Sequence, residues 1–314
     1  VDLGLKGKKA RRLANQIAAL SKKLGMRQIK VGCDFPVGLF RQLERKGLRV
    51  SVAREANCPE RRIKQEHEIE KIRASQRAAV AAMKRAMELV ACAEIDRKGI
   101  LRTGRAVLTS EKVRQAIQKT LIDHGCLGSD TIVAGGEQAA DPHERGHGPL
   151  RAGEAIIIDI FPRSEASGYW GDLTRTVCRG SAPPPLKALH RAVKAAQQAA
   201  LKGLRPGVGT DEIHRAAQAV FEKRGYETTV AEGRQVGFIH GTGHGVGLEI
   251  HEAPRIANSG EALEAGNVVT IEPGLYYPGL GGMRIEDTVV VTDKGWRYLA
   301  TCPKKFELLS AITP

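Results

Sequence analysis

The chain has 314 residues, 42% hydrophobic and 27% charged, with six cysteines and a formal net charge of +14. That length holds one large domain plus a small one, and no run reaches the roughly 18 apolar residues of a membrane-spanning helix. The charge is unevenly placed: residues 1–130 carry 29 Lys and Arg against 14 Asp and Glu (+15), and residues 131–314 carry 20 against 21 (−1), which together give the +14.

The opening VDLGLKGKKARR is basic with no apolar core behind it, so it does not read as a secretory signal. Residues 7–25 read as a basic amphipathic helix stopped at Gly25. QIKVGCD then reads as a strand, VGLFRQLERKG as a helix and LRVSVA as a second strand. This βα-type fragment stops near Cys58-Pro59, lacks a first strand and opens on Val1 rather than methionine. It is expected to be the second half of a domain, a partial N-terminal α/β domain over residues 1–60, with the main domain over 61–314.

From Arg61 to about Ala93 the apolar residues Ile69, Ile72, Ala79, Val80, Met83, Met87 and Val90 recur mostly at three and four, which predicts a long helix. A basic first half raises nucleic-acid binding. Its aromatics, however, are Phe35 and Phe40 alone, which build no stacking platform, and acids interleave the basic residues in RRIKQEHEIEKIRASQ. The excess is therefore read as solvated helix faces that could help attract acidic peptides, with no nucleic-acid partner.

Thr109 or Ser110 caps the next helix, EKVRQAIQKTLIDHG, which Gly125 stops. PPPLKALHRAVKAAQQAALKGL is a long helix entered through proline. After RPGVGT comes DEIHRAAQAVFEKRG, stopped at Gly225. A strand-rich segment follows each helix pair, 131–178 and 236–292. The pattern is a weak internal repeat of an α+β unit, which would set ligands from both halves between two related sheets. The cysteines lie far apart and form no CxxC, so they read as small, mostly buried thiols of a cytoplasmic protein.

The chemistry concentrates in four glycine-flanked segments: IIIDIFP, YWGDLTRT, HGTGHGVGLEIHE and TIEPGLYY–MRIEDT. Asp159 ends the apolar run AIIID and Asp172 opens a β-branched stretch, with SEASG between them, so a hairpin would bring both carboxylates together. Lone strand-end aspartates are usually structural, but an apolar strand delivers this one inward, where an unpaired carboxylate is costly. Glu272 and Glu286 repeat the arrangement inside VVTIEPG and MRIEDTVVV, two strands joined through YYPGLGG; either alone could simply pair with Arg284. His240 and His244 are four apart, but glycines at 241, 243, 245 and 247 argue against a helix. They instead let backbone approach a metal or substrate closely. His251 falls further along the same expected strand, and His143, near His147, sits in a glycine-rich loop where either could face solvent. Four carboxylates and one imidazole suit a pair of hard divalent cations: Mn, Mg or Ca by their oxygens, Co, Zn or Fe by their imidazole. Two such ions share a water and make it a nucleophile near neutral pH, so the set points to metal-assisted hydrolysis.

These residues resemble the pita-bread metallopeptidases: Xaa-Pro aminopeptidases, prolidases, methionine aminopeptidases and creatinase. IVAGGEQAADPHERGHGPLRAGEAIIIDIFP, GYWGDLTRT, HGTGHGVGLEIHEAP and TIEPGLYYPGLGGMRIEDTVVVT carry the likeness, which covers about 65 to 300. The resemblance implies an α+β pita-bread catalytic domain over 61–314, duplicated as helix, helix and strands, behind a partial creatinase-type N-terminal domain. It implies that Asp159, Asp172, His244, Glu272 and Glu286 bind two divalent ions, with manganese the first choice and Co, Zn or Fe admissible. Glu272 would also be general base, with Asp172 and Glu286 bridging. His143 and His251 match catalytic histidines outside the metal shell; His240 and Arg284 match residues of the substrate pocket, Arg284 near the substrate carboxylate.

The activity so implied is aminopeptidase cleavage of the Xaa-Pro bond of short peptides by a cytoplasmic homodimer. The alternatives are a prolidase acting on dipeptides, a methionine aminopeptidase-like or creatinase-like enzyme, and a non-catalytic binding module on the same fold. One departure is Asp159-Ile160-Phe161-Pro162 where the family often has Asp-x-Gly. Neither replaced position is a ligand. The other is the half-sized N-terminal domain, which bears on substrate length and dimerisation.

Overall fold

The computed structural model describes residues 7–53, 58–231 and 233–309; the opening VDLGLK and the end of the first fragment at 54–57 lie outside the described residues. The chain divides into two compact units, Val1–Arg61 and Arg62–Pro314. In the first, α1 (Gly7–Lys23), β1 (Gln28–Val31), α2 (Val37–Arg45) and β2 (Arg49–Val52) follow one another. β1 and β2 pair in parallel, with Ile29 opposite Val50. Ala14, Val31, Leu39, Leu43, Leu48 and Val50 form its small core. Gly25 (φ 68°) and Gly47 (φ 82°) follow the two helices in the left-handed conformation that closes a helix.

The second unit opens with α3 (Glu66–Cys92). It starts five residues later than the apolar spacing predicts, because the Glu68 carboxylate accepts the Gln65 backbone N–H (3.0 Å) and sets the helix end there. Every apolar position predicted to face inward, from Ile69 to Val90, is buried. Lys84 and Arg85 lie on the exposed face, where Arg85 meets Glu88 at 2.6 Å. α4 (Ser110–Asp123) begins at a Thr109 cap, whose hydroxyl accepts the Lys112 N–H (3.4 Å). Then come β3 (Ile132–Gly135), β4 (Ile156–Ile160) and β5 (Leu173–Arg179). α5 (Pro184–Gly203) and α6 (Thr210–Glu222) repeat the helix pair. The second set of strands is β6 (Gly243–Gly245), β7 (Glu252–Ile256), β8 (Val268–Ile271), β9 (Gly274–Tyr277), β10 (Gly281–Arg284), β11 (Asp287–Thr292) and β12 (Gly295–Tyr298). A last short strand, β13 (Glu307–Leu308), returns to the first half.

One sheet runs β13-β5-β4-β3 and the other β7-β6-β8-β11-β12; β9 and β10 form a separate hairpin. α3 and α4 pack on the first sheet through Met83, Val90, Val113, Ile117, Ile156 and Ile158. The second core joins Leu189, Val193, Ile213 and Phe221 of α5 and α6 to Val269, Ile271 and Val289. Each such side chain contributes about 1.5–3 kcal/mol when removed from water. Among the described residues no helix is long and apolar enough to cross a membrane. The cysteines depart from expectation: Cys126, Cys178 and Cys302 are buried, but Cys33, Cys58 and Cys92 are exposed, and all six are free.

His190 on α5 stacks on Phe306 (4.9 Å between centroids, 10° between planes). Burial, then the charges of Lys194 and Arg191, push its pKa down to about 4, against a smaller opposing effect of Glu307. The unfolded chain thus binds this proton first as pH falls, and stability drains between about pH 6.5 and 4. Denaturant unfolding across that range is expected to show a shallower loss in His190→Phe than in the wild type. Equal slopes would contradict the assignment.

Candidate metal centre

The two halves join where β5 lies against residues 284–288. Thr176 Oγ1 donates to the Arg284 carbonyl (2.9 Å) and accepts its N–H (3.0 Å). The Glu286 N–H donates to the Thr174 carbonyl (3.1 Å), and Thr288 Oγ1 to that of Asp172 (2.8 Å). Asp159 is the fourth residue of β4, opposite Thr174 on β5, and Asp172 immediately precedes β5, so the antiparallel pair brings the two carboxylates together as expected. Gly171 makes this possible: a Cβ there would strike the Ser75–Gln76 backbone. The close approach lets the Gln76 amide pair with both backbone groups of Asp172, each at 2.7 Å.

Glu272 and Glu286 do not lie inside continuous strands as the sequence suggests. The β8–β11 ladder ends at the Ile271–Asp287 pair, and the β9–β10 hairpin begins at Gly274–Arg284. Both glutamates sit in the break, which Pro273 enforces because it has no N–H to donate. His244 lies in β6, beside Gly243, where a Cβ would run into the Thr270 carbonyl. His251 is not on that strand. The register with β7 shifts after His244, the strand ends at Gly245, and the chain loops through 246–251 before β7. The loop still brings the His251 ring edge-on against His244, 4.3 Å between centroids at 83°.

The side chains converge. Asp172, His244 and Glu286, all buried, offer ligand atoms that lie within 4.8 Å of one another. His244 Nε2 stands 3.2 Å from Glu272 Oε1 and 3.5 Å from Asp172 Oδ2. Its Nδ1 faces the Gly245 carbonyl at 3.1 Å, a contact that puts a proton on Nδ1 and aims Nε2 at the carboxylates, so that Nε2 is the nitrogen that would coordinate a metal in place of its own proton. Asp159 lies across the site, where Arg284 Nη2 donates to its Oδ2 (2.7 Å). Arg284 Nη1 donates to the Tyr276 hydroxyl (2.6 Å), which lies 2.9 Å from His240 Nε2; His240 Nδ1 lies 2.7 Å from the Gly241 carbonyl.

Burial and then neighbouring carboxylates hold Asp172 and Glu286 well above the usual carboxylate range. Burial also raises Asp159, against the pull of Arg284. Burial pushes Glu272 up too, but the hydrogen bond and charge of His244 outweigh it and bring it down to about 2. For His244 the balance is the reverse: burial lowers its pKa, and Glu272 more than compensates. The cluster calls for more positive charge than the imidazole and Arg284 supply. Asp159 Oδ1 is buried without a hydrogen-bond partner, so the donor set fits divalent ions.

The five expected ligands flank a cavity of about 360 Å³, which His143, His240, His251 and Arg284 also line. His147 does not line it. The sequence reading missed Phe161 and Arg255, which do. Phe161 lies two residues past Asp159 and so shares its strand face, a legible signal. Arg255 lies on β7, four past His251, and nothing in the sequence around it sets it apart from a surface arginine.

A duplicated α+β body with carboxylates and one imidazole gathered between its halves defines a metallohydrolase-type scaffold. The profile of metallopeptidase family M24 matches residues 70–293, and the chain belongs to that family, with its pita-bread fold. It is similar to a Xaa-Pro dipeptidase of Lactobacillus delbrueckii, 34% identical over 212 residues (66% of this chain, 53% of the relative). Another such dipeptidase, from Pyrococcus furiosus, is 39% identical over 172 residues (54% and 47%). The crystal structure of an X-Pro aminopeptidase from Thermotoga maritima superposes with a TM-score of 0.77 at 28% identity, covering 96% of this chain and 80% of that one. The chain spans about half the length of the curated relatives it matches.

Proposed function

We propose that this chain hydrolyses the peptide bond before proline at the N-terminus of short peptides, using two divalent ions, manganese by first choice. The ions would be held by Asp159, Asp172, His244, Glu272 and Glu286. The convergence of these five side chains beside the cavity carries the reading. When bound, such ions acidify a water and polarise the scissile carbonyl. Glu272, kept ionised, can accept the proton of the attacking water and pass it toward the leaving proline nitrogen. His251, beside His244, can hydrogen-bond the developing oxyanion, and His143 at the cavity wall the peptide backbone. The hydrogen bonds from Asp159 through Arg284 and Tyr276 to His240 hold one wall rigid. Exposed free thiols at Cys33, Cys58 and Cys92 suit a reducing cytoplasm, and the family resemblance favours a homodimer.

Arg284 was expected near the substrate carboxylate, but both of its terminal nitrogens are engaged. Arg255 lines the same cavity, is exposed and makes no ion pair among the described residues. We assign the carboxylate to it, and this favours dipeptides as a second reading beside longer peptides. Arg255→Met is expected to raise KM for Ala-Pro about tenfold, a charge-assisted hydrogen bond's worth, and to leave Ala-Pro-amide unchanged. Equal effects on both would remove the assignment. Hydrolysis of Ala-Pro, Ala-Pro-Ala and Met-Ala-Ser with Mn²⁺, and with chelator, tests the function itself. Chelator-sensitive release from the first two is expected; preference for Met-Ala-Ser, or no release from any peptide by protein holding two ions, would overturn it.

A further inference from the structure

The break that presents Glu272 and Glu286 leaves backbone groups without a sheet partner, and each must be satisfied elsewhere. The Glu272 N–H goes to the Thr242 carbonyl (2.7 Å) and the Glu286 N–H to that of Thr174 (3.1 Å). The carbonyls immediately before the two glutamates, those of Ile271 and Ile285, turn outward toward α5. There the fully buried Gln197 meets both, its Nε2 lying 3.0 Å from Ile271 O and 3.2 Å from Ile285 O. The same nitrogen is 3.1 Å from Asp287 Oδ2. All three partners can only accept, so the amide must present its NH₂ group to them, and its Oε1 is left buried without a partner. One side chain thus ties together the two strands at the point where they leave the sheet, one peptide unit from each glutamate. In the other half α3 supplies Gln76, which holds both backbone groups of Asp172.

We propose that Gln197 is a positioning residue of the metal centre: by clamping the Ile271 and Ile285 carbonyls it fixes the separation and direction of the Glu272 and Glu286 carboxylates, and with them the affinity for the ion pair. This rests on the two-ion reading above. A purely structural role would lower stability alone. A positioning role moves the metal as well, because groups that orient ligands typically change affinity about 10- to 100-fold.

Calorimetric titration of metal-free protein with Mn²⁺, together with the visible absorption of the Co²⁺-loaded form, separates these. The proteins are the wild type, Gln197→Met, and Leu189→Ala, which opens the buried core on the same helix about two turns from Gln197 and removes no hydrogen bond to the glutamate segments. Gln197→Met is expected to bind at least one ion about 10-fold or more weakly and to shift the Co²⁺ bands, while Leu189→Ala unfolds more easily but titrates as wild type. Wild-type affinity and spectrum in folded Gln197→Met would overturn the proposal, as would equal weakening in Leu189→Ala. If Gln197→Met does not fold, Gln197→Asn keeps an amide in the core, withdraws it by one methylene, and is held to the same outcomes. A wild type that takes up no metal would remove the two-ion reading itself; metal-binding wild type with an indifferent Gln197 removes this inference alone.

Discussion

Glu272→Gln is expected to lower kcat for Ala-Pro by about 100- to 10,000-fold with little change in KM, the effect of removing a group that moves a proton in the transition state. Three observations converge on this residue. Its carboxylate is mostly buried at the centre of the cluster, 3.2 Å from His244, and is ionised, so it has a lone pair with which to accept a proton. Thr270 Oγ1 donates to its Oε1 (3.1 Å) and limits the rotation of the carboxylate. The backbone is pinned by the Glu272 N–H to the Thr242 carbonyl. Glutamine keeps the shape and one oxygen but cannot take a proton. Metal content is measured alongside, so that loss of an ion is told apart from loss of the base. A metal-replete variant with wild-type kcat would contradict the assignment.

Arg175→Met is expected to destabilise the second unit by about 3–5 kcal/mol, the consequence of breaking a buried ion pair and leaving several buried carbonyls without a donor. Arg175 is 1% exposed. It meets Asp287 Oδ1 at 2.7 Å and donates to the carbonyls of Thr174, Glu286, Cys302 and Pro303. One guanidinium therefore links β5 of the first half, the Glu286 segment of the second and the return toward β13. Methionine fills much of the volume and satisfies none of the acceptors. Lys304, 2.6 Å from Asp287 Oδ2, remains but reaches only one of them. Denaturant midpoints with unchanged slope would report the loss. A loss below about 1 kcal/mol would place the pair with ordinary surface bridges.

What could be read from the sequence divides along physical lines. The long helices follow from apolar spacing and from stop signals such as Gly125 and Gly225, both of which adopt positive φ. The duplication follows from order alone. The segments expected to bear ligands stand out because a carboxylate beside Ile or Val is an expensive arrangement, and the structure gathers all five side chains round one cavity. The supporting residues were not legible. Gln197 and Gln76 look like ordinary polar positions on amphipathic helices, and only the close approach of strand ends reveals their acceptors. The strand break at Glu272 could have been foreseen from Pro273; the loop that returns His251 to His244 could not, because the irregular stretch 246–251 has no period. Arg284 lines the cavity, but its ties to Asp159 and Tyr276, 125 and 8 residues away, could not be read from its position two before Glu286.

The most direct measurement is proline release from Ala-Pro by metal-free protein titrated with Mn²⁺, with bound metal counted at each point. Activity absent in the metal-free protein and levelling off at two ions per chain is the expected result. Undiminished release by the metal-free protein, or none with both ions bound, would contradict a dinuclear centre that cleaves before proline.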